Sequence, residues 1–152
     1  MGKELARNRK AYHDYEFEDY FEAGIVLRGT EVKALREGRG NLQEAFGVIR
    51  DGEAFVIGMH IGPYSNAPAE RQHDPERSRK LLLKKREIKE LSGKISRRGY
   101  SLIPLQVYLN KRNWVKLRLG LGKGLKKWDK RRKKKEKDVK RRLRQQYSAK
   151  IR

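Results

Sequence analysis

The last 27 residues, Lys126 to Arg152, carry 15 basic and 3 acidic side chains, a local net charge of +12. Such a run repels itself and cannot close a hydrophobic core. Any core must come from the residues before it, and the composition shift near Gly120 to Gly124 marks where a folded body gives way to a basic tail. The expected organisation is a body over 1–122 and a tail over 123–152, the tail disordered when free and helical on a polyanionic surface. At 152 residues there is room for one ordinary domain. The whole chain has 40 Lys plus Arg against 19 Asp plus Glu, net +21, which points to nucleic acid first and an anionic membrane surface second.

There is no cysteine, which excludes a disulfide framework, a thiolate nucleophile and Cys-based metal sites. The start "MGKELARNRKAYHDY" has no apolar signal segment, Leu5 to Asn8 offers no hydroxyl for a myristoylation signal, and no stretch approaches the roughly 20 apolar residues of a membrane span. A soluble, unprocessed, cytoplasmic chain is expected.

The body alternates like a set of half-buried strands. In "AFGVIRDGEAFVIGMHI" the Asp51-Gly52 pair turns Phe46–Arg50 back on Glu53–Ile61, with Phe55, Ile57, Met59 and Ile61 expected on one face and His60 on the other. A second hairpin sets Ile103, Leu105, Val107 and Leu109 against Val115, Leu117, Leu119 and Leu121 across the 110–113 turn, with Trp114, Lys116 and Arg118 outward. "YEFEDYFEAGIVL" places Tyr15, Phe17, Phe21, Ala23, Ile25 and Leu27 on one side of a long or bent strand. A short helix is expected from near Thr30 to Gly38, and a longer one from Asp74 and Pro75 to Gly99, weakened at Gly93. At least five strands with these helices predict a mainly β fold, a small antiparallel barrel of the oligonucleotide-binding type.

Catalytic signals are sparse. His13-Asp14 and His73-Asp74 are adjacent pairs, and neighbours on a strand point to opposite faces. No phosphate-binding loop, nucleophile elbow or metal-binding helix motif is present. At the amino end, "LARNRKAYHDY" leads Arg7, Asn8, Arg9 and Lys10 into Tyr12, His13 and Tyr15, cations that neutralise phosphate beside rings that stack on unpaired bases. In the tail, Trp128 sits inside the charge run, where an exposed indole is a liability unless it has a base to stack on. Val139, Leu143, Tyr147 and Ile151 recur every fourth residue beyond it. Read this way, the residues leave open an RNA-binding module, a nuclease using His13 and Asp14, and a membrane-surface arm.

The blocks "NRKAYHDY", "FEAGIVLRGTEVKALREG", "NLQEAF", "DGEAF", "HDPERSRKLLL" and "GKGLKKWDKR", in this order from Asn8 to Arg131, resemble the SsrA-binding protein family, also called small protein B. The resemblance implies a six-stranded closed barrel with about three helices around it. It implies a non-enzymatic monomer without cofactor, whose barrel binds the transfer-RNA-like domain of transfer-messenger RNA. Protein and RNA would then enter a stalled ribosome, and the tail would lie in the 16S rRNA decoding centre and the empty mRNA channel. Carried over residue by residue, RNA contacts fall on Asn8, His13, Tyr15, Glu22 and Lys116, with Arg9 and Lys10 beside them. Decoding-centre positions fall on Gly124, Lys126, Lys127, Trp128, Asp129, Lys130 and Arg131. Leu125 stands in place of a family lysine, so one expected phosphate contact is missing or is supplied by Lys123 or Lys127. Lys84 replaces a frequent histidine, and the tail beyond Arg131 is more uniformly basic than the family pattern.

Overall fold

The computed structural model describes residues 2–97, 99–125 and 127–151, the side chains of 127–130, 132–133 and 146–151 lying outside that description. Among these residues nine strands and four α-helices follow in the order β1 (Glu4–Arg7), α1 (Arg9–Asp14), β2 (Tyr15–Ile25), α2 (Gly29–Arg36), β3 (Gly40–Asn41), β4 (Phe46–Arg50), β5 (Glu53–Ile57), β6 (His60–Ile61), β7 (Arg79–Leu82), α3 (Lys85–Ile95), β8 (Tyr100–Leu109), β9 (Val115–Gly124) and α4 (Lys127–Ile151). Six strands close a ring, β8-β4-β5-β7-β2-β9 and back to β8, every described pairing antiparallel. Closure removes the edges on which another chain could add a strand. Strand β1 pairs outside the ring along β8, and β3 with β6 forms a separate small sheet.

The two expected hairpins are β4–β5 and β8–β9. Asp51 and Gly52 both have positive φ, 52° and 75°, the twist that lets a two-residue turn match the strands it joins. Inside the ring the core is Phe21, Ala23, Val56, Leu81, Leu102, Val107, Leu117, Leu119 and Leu121, with Leu35 from α2 and Leu91 from α3 packed on it.

Three expected faces are divided by irregularities that alternation cannot reveal. On β5 the buried side chains are Ala54 and Val56, not Phe55 and Ile57; Gly58 at φ +75° then reverses the parity, so Met59 and Ile61 are buried. On β8 a register shift between Pro104 and Gln106 sends Ile103 and Leu105 to a second cluster outside the ring, while Val107 enters the main core. A matching shift on β2 between Phe17 and Asp19 leaves Tyr15 and Phe17 on that outer cluster and turns Phe21, Ala23 and Ile25 inward. Each bulge inserts one residue and exchanges the faces of everything beyond it.

The long helix expected from Asp74 is corrected. Asp74 accepts from the backbone of Glu76 at 2.9 Å and closes a turn, Arg79 to Leu82 are a ring strand, and the helix starts only after Leu83, where Glu87 accepts from the backbone N–H of Lys84 at 3.0 Å. The Leu81-Leu82-Leu83 run that looked helical serves a strand whose Arg79 and Leu81 point inward. Gly93 does not break α3, which continues to Ile95. His13 and Asp14 end a helix rather than lying on a strand. Strand β9 runs to Gly124, and 127–151 are helical.

Glu31 and Arg79 are both fully buried and hydrogen-bond through Arg79 Nε; Arg77 adds a contact to the other carboxylate oxygen at 2.6 Å, and the Arg28 backbone a third bond at 2.7 Å. Burial is the largest influence on the Glu31 carboxyl and pushes its pKa up, but these donors together outweigh it and hold the pKa below the ordinary value. A lowered folded-state pKa contributes stability that is present above the unfolded value and lost as the pH falls through the folded one. Glu31→Gln, which leaves Arg79 buried without its counter-charge, is expected to cost about 3–5 kcal/mol in chemical denaturation. The variant should also lose part of the wild-type decline in stability below about pH 4.5. Gly120→Ala tests the outer cluster, because a Cβ there would lie 2.6 Å from the Phe17 ring and 2.9 Å from Leu105. Its expected cost by the same measurement is about 1–3 kcal/mol.

Candidate nucleic-acid interface

The outer cluster is the root of the surface where the predicted contacts gather. Phe17 stacks on Tyr15 with centroids 5.8 Å apart, meets Tyr12 edge-on at 6.2 Å and Tyr20 at 6.2 Å. It lies over Gly120, where any side chain would displace it. Tyr12 and Tyr20 remain 38% and 46% exposed, so two rings of a packed cluster also face outward.

From Tyr20 the surface continues across three strands. Glu22 on β2 registers with Arg118 on β9, Gly24 with Lys116, and Lys116 with Tyr108 on β8. The Arg118 guanidinium sits 4.6 Å above the Tyr20 ring, its Nε without a hydrogen-bond partner. The Tyr108 hydroxyl donates to Glu22. Burial first, then this hydrogen bond and the Glu22 charge, push the Tyr108 phenol far above its usual pKa, so it stays a donor that orients the carboxylate. Tyr20, Phe21, Glu22, Tyr108 and Arg118 enclose a pocket of about 220 Å³ offering a carboxylate acceptor beside a guanidinium donor.

Beyond Lys116 a groove of about 410 Å³ runs between the body of the ring and the β8–β9 turn, lined by Ile25, Leu27, Val32, Leu82, Trp114 and Val115 among others. Leu82 is 55% and Trp114 58% exposed, and the Arg112 and Lys116 cations each lie 5.8 Å from the Trp114 ring. An uncovered indole flanked by cations suits a stacked base with phosphates on either side.

At the other end of the cluster, α1 presents Arg9, Lys10 and His13 as exposed side chains. Arg9, Tyr12 and His13, at positions i, i+3 and i+4, share one helix face and wall a cleft against α4. The structure thus brings together His13, Tyr15, Glu22 and Lys116, linked through Phe17, Tyr20 and Arg118.

Asn8 lies below this surface. It is 3% exposed, donates to the carbonyls of Leu42 and Pro104 at 3.1 Å each, and accepts from the Ala11 N–H at 3.2 Å. Its amide is occupied in holding the start of α1 against the barrel. Lys123 also stands apart: on β9 it lies on the opposite face from Lys116 and Arg118, with its ammonium 5.0 Å from the Tyr100 ring. Gly124 registers with Tyr15, and Leu125 N donates to Asp14 O at 2.8 Å, so the tail leaves the barrel beside α1. Arg131 is exposed on α4; Lys126, and the side chains of Lys127, Trp128, Asp129 and Lys130, lie outside the described residues.

Tyr20, Leu82, Trp114 and Arg118 were not among the predicted contacts. Alternation in the sequence shows Trp114 and Arg118 facing outward but not the register that sets Arg118 over Tyr20, and the leucine run holding Leu82 reads locally as helix. Among the described residues no cluster of His, Cys, Asp and Glu could hold a metal, and no helix is long and apolar enough to cross a membrane.

The sequence model of the SmpB protein family matches residues 5–149. The SsrA-binding protein of Halothermothrix orenii is 50% identical over 145 residues, covering 95% of this chain and 92% of that protein. That of Geobacter sulfurreducens is 50% identical over 146 residues, covering 95% and 94%. A chain of the solved structure described as "tmRNA-SmpB: a journey to the center of the bacterial ribosome" superposes with a TM-score of 0.68 at 41% identity, covering 83% of this chain and 91% of that one. Agreement of this extent, in sequence along almost the whole length and in the arrangement of the barrel, makes the chain a member of the SmpB family of SsrA-binding proteins.

Proposed function

We propose that the chain is a non-enzymatic adaptor of trans-translation, acting in the cytoplasm, that binds the transfer-RNA-like domain of transfer-messenger RNA and delivers it to stalled ribosomes. The observation that carries this reading is the continuous outward strip from α1 through Tyr20 and Arg118 to Lys116, Trp114 and Leu82, on a chain of this family.

The chemistry divides along the strip. Cations at Arg9, Lys10, Lys116 and Arg118 neutralise phosphates and set the register of the RNA, while rings and the Glu22 carboxylate act on bases and sugar hydroxyls. Glu22 accepts only, so it favours base amines and 2′-hydroxyls and repels phosphate. Tyr108 holds it in place. Trp114 and Leu82 offer an apolar seat for an unstacked base.

The tail has a different task in this reading. As a helix of 25 residues it reaches about 37 Å, long enough to follow an RNA-lined channel. Trp128 would stack on a base of the decoding centre, with Lys126, Lys127, Lys130 and Arg131 on the ribosomal RNA backbone and Asp129 orienting its basic neighbours.

Trp114→Ala should weaken binding to the transfer-RNA-like domain by about 1–3 kcal/mol, roughly 5- to 150-fold, the range for loss of one stacked base. Unchanged affinity in a filter-binding titration would remove Trp114 from the interface. Trp128→Ala should leave that affinity intact and abolish peptide tagging in a reconstituted translation reaction; normal tagging would sink the decoding-centre role. Because every buried residue among those described precedes Gly124, a chain ending there should still prefer the transfer-RNA-like domain over an ordinary transfer RNA. Absence of that preference in both the full and the shortened chain would instead mark a general RNA-binding protein.

A further inference from the structure

We propose that the pocket between Glu22 and Arg118 reads the Watson–Crick edge of one unpaired guanine, and that these two residues give the RNA face a base preference. The inference deepens the RNA-binding reading and rests on it.

Glu22 on β2 and Arg118 on β9 are directly opposite one another in register, which sets their Cα atoms about 4.5–5.5 Å apart. Opposite charges so placed attract and ordinarily close into an ion pair. Here they are held apart. The Tyr108 hydroxyl donates to the carboxylate, and the guanidinium lies over the Tyr20 ring at 4.6 Å. Among the described ion pairs none joins the two. The gap is the pocket of about 220 Å³ that Tyr20, Phe21 and Tyr108 complete. It is smaller than the roughly 300–1,000 Å³ of a drug-sized site and admits a single small planar group.

The same row carries unused hydrogen-bonding capacity. Arg118 Nε is shielded from water and has no partner. Gln106 on β8, the cross-strand neighbour of Arg118 on its other side, is 6% exposed, and its Oε1 is likewise unpaired. Buried polar atoms without partners are rare, because each gives up water for nothing. A spare donor and a spare acceptor thus stand side by side, and a ligand that turns Arg118 toward itself would bring them into use.

The arrangement selects among RNA groups. Phosphate does not fit, since a carboxylate only accepts and repels it. A neutral group with donors on one side and an acceptor on the other does fit. Of the four bases only guanine has two adjacent donors, N1–H and the N2 amine, next to an acceptor, O6. Glu22 can take both donors, and Arg118 can donate to O6 and N7, the commonest arginine contact to a base. Adenine and cytosine each set one amine beside an accepting ring nitrogen, which would face the second carboxylate oxygen. Uracil flanks its single donor with two carbonyls. Each of these brings acceptor against acceptor at one atom, which penalises the wrong base. Tyr108 sharpens the choice by fixing the carboxylate, so its oxygens do not rotate to suit another edge. In a duplex the N1 and N2 donors of guanine are already bonded to cytosine, so the pocket accepts guanine only from a loop, bulge or end.

The test titrates the isotope-labelled full-length chain with guanosine, inosine, adenosine, cytidine and uridine 5′-monophosphates, and follows the NMR signals of the Arg118 Nε–H and of the Glu22 and Arg118 amides. All five ligands carry one phosphate, so charge cancels from the comparison, and the site-resolved signals exclude binding to the tail. Guanosine monophosphate should bind tighter than the adenosine, cytidine and uridine compounds by roughly 5- to 150-fold, the range for one bidentate base contact. Inosine monophosphate, which lacks the N2 amine, should bind more weakly than guanosine monophosphate. Glu22→Gln should bring the guanosine preference to within about twofold. Arg118→Lys, which keeps the charge but loses the planar fork, should weaken guanosine monophosphate at least fivefold and leave uridine monophosphate within about twofold. Equal affinity for all five, preference for another base, or equal affinity for guanosine and inosine overturns the proposal. So does a guanosine preference that survives both substitutions. The ratios in the wild-type chain decide the matter even where a variant fails to fold. Preference of the wild-type chain for the transfer-RNA-like domain over an ordinary transfer RNA is measured separately by anisotropy: its absence overturns the adaptor function, while the nucleotide ratios still decide the pocket.

Discussion

The buried carboxylate of Glu31 is the tie on which the rest of the barrel depends. It receives Arg79 from β7, Arg77 from the turn before that strand, and the backbone of Arg28 at the start of α2. Arg79 in turn donates to the carbonyls of Met59 at 2.6 Å and Pro75 at 3.2 Å. His73 adds a parallel strut, its ring nitrogens facing Thr30 Oγ1 at 2.9 Å and the carbonyls of Ile61 and Gly62 at 2.9 and 3.1 Å. A pair of charges this deep contributes little net stability against an apolar replacement, yet removing one partner is severe. Its effect is to specify position: β7 is held between β5 and β2, and the ring closes with Leu81 inward and Leu82 outward. The groove beside Trp114 exists because that strand is fixed in that register.

A second constraint acts on the outside of the ring. The bulges on β2 and β8 let a single barrel present two apolar clusters, the main core within and a smaller one without. The outer cluster seats α1, whose Asn8 and Ala11 are buried against β8, and it spreads four rings over the surface with Phe17 as the hub. Rings held by one another lose little freedom when a base stacks on them, which keeps the entropic cost of binding low. The apolar packing that secures α1 is therefore the same packing that prepares the proposed RNA face.

Much of the barrel could be read from the chain because its hairpins advertise themselves. Asp51-Gly52 and the alternating leucines of β9 are local signals of turn and strand. The elements that escaped are those defined by partners distant in sequence. Strand β7 follows an Asp-Pro pair and contains a leucine run, a pattern that locally suits a helix; only its place between two other strands decides the matter. Bulges at Glu18 and Leu105 leave the odd-even pattern of the sequence intact while reversing its meaning. Asn8 illustrates the same limit at the site. Its position in the amino-terminal motif singles it out, but only the folded chain reveals that its side chain makes three hydrogen bonds holding α1 to the barrel. Tyr20 and Arg118 illustrate the converse, ordinary residues made a unit by register.

Charge is distributed so that affinity and selectivity are carried by different parts of the molecule. The tail holds +12 of the total +21 in 27 residues, whereas the body interleaves its cations with Glu16, Glu18, Asp19 and Glu22 along β2. Contacts from the tail to phosphate are sequence-independent and weaken steeply with salt. A carboxylate on the proposed RNA face of the body would do the opposite: it penalises any pose that brings phosphate to it and rewards one that brings a donor. In the proposed interface Glu22 would therefore lower the attraction of the body for RNA in general while raising its discrimination among RNAs. A chain that must choose one RNA in a cell full of ribosomal and transfer RNA needs that sacrifice in the body, and it can afford it because the tail supplies the missing attraction.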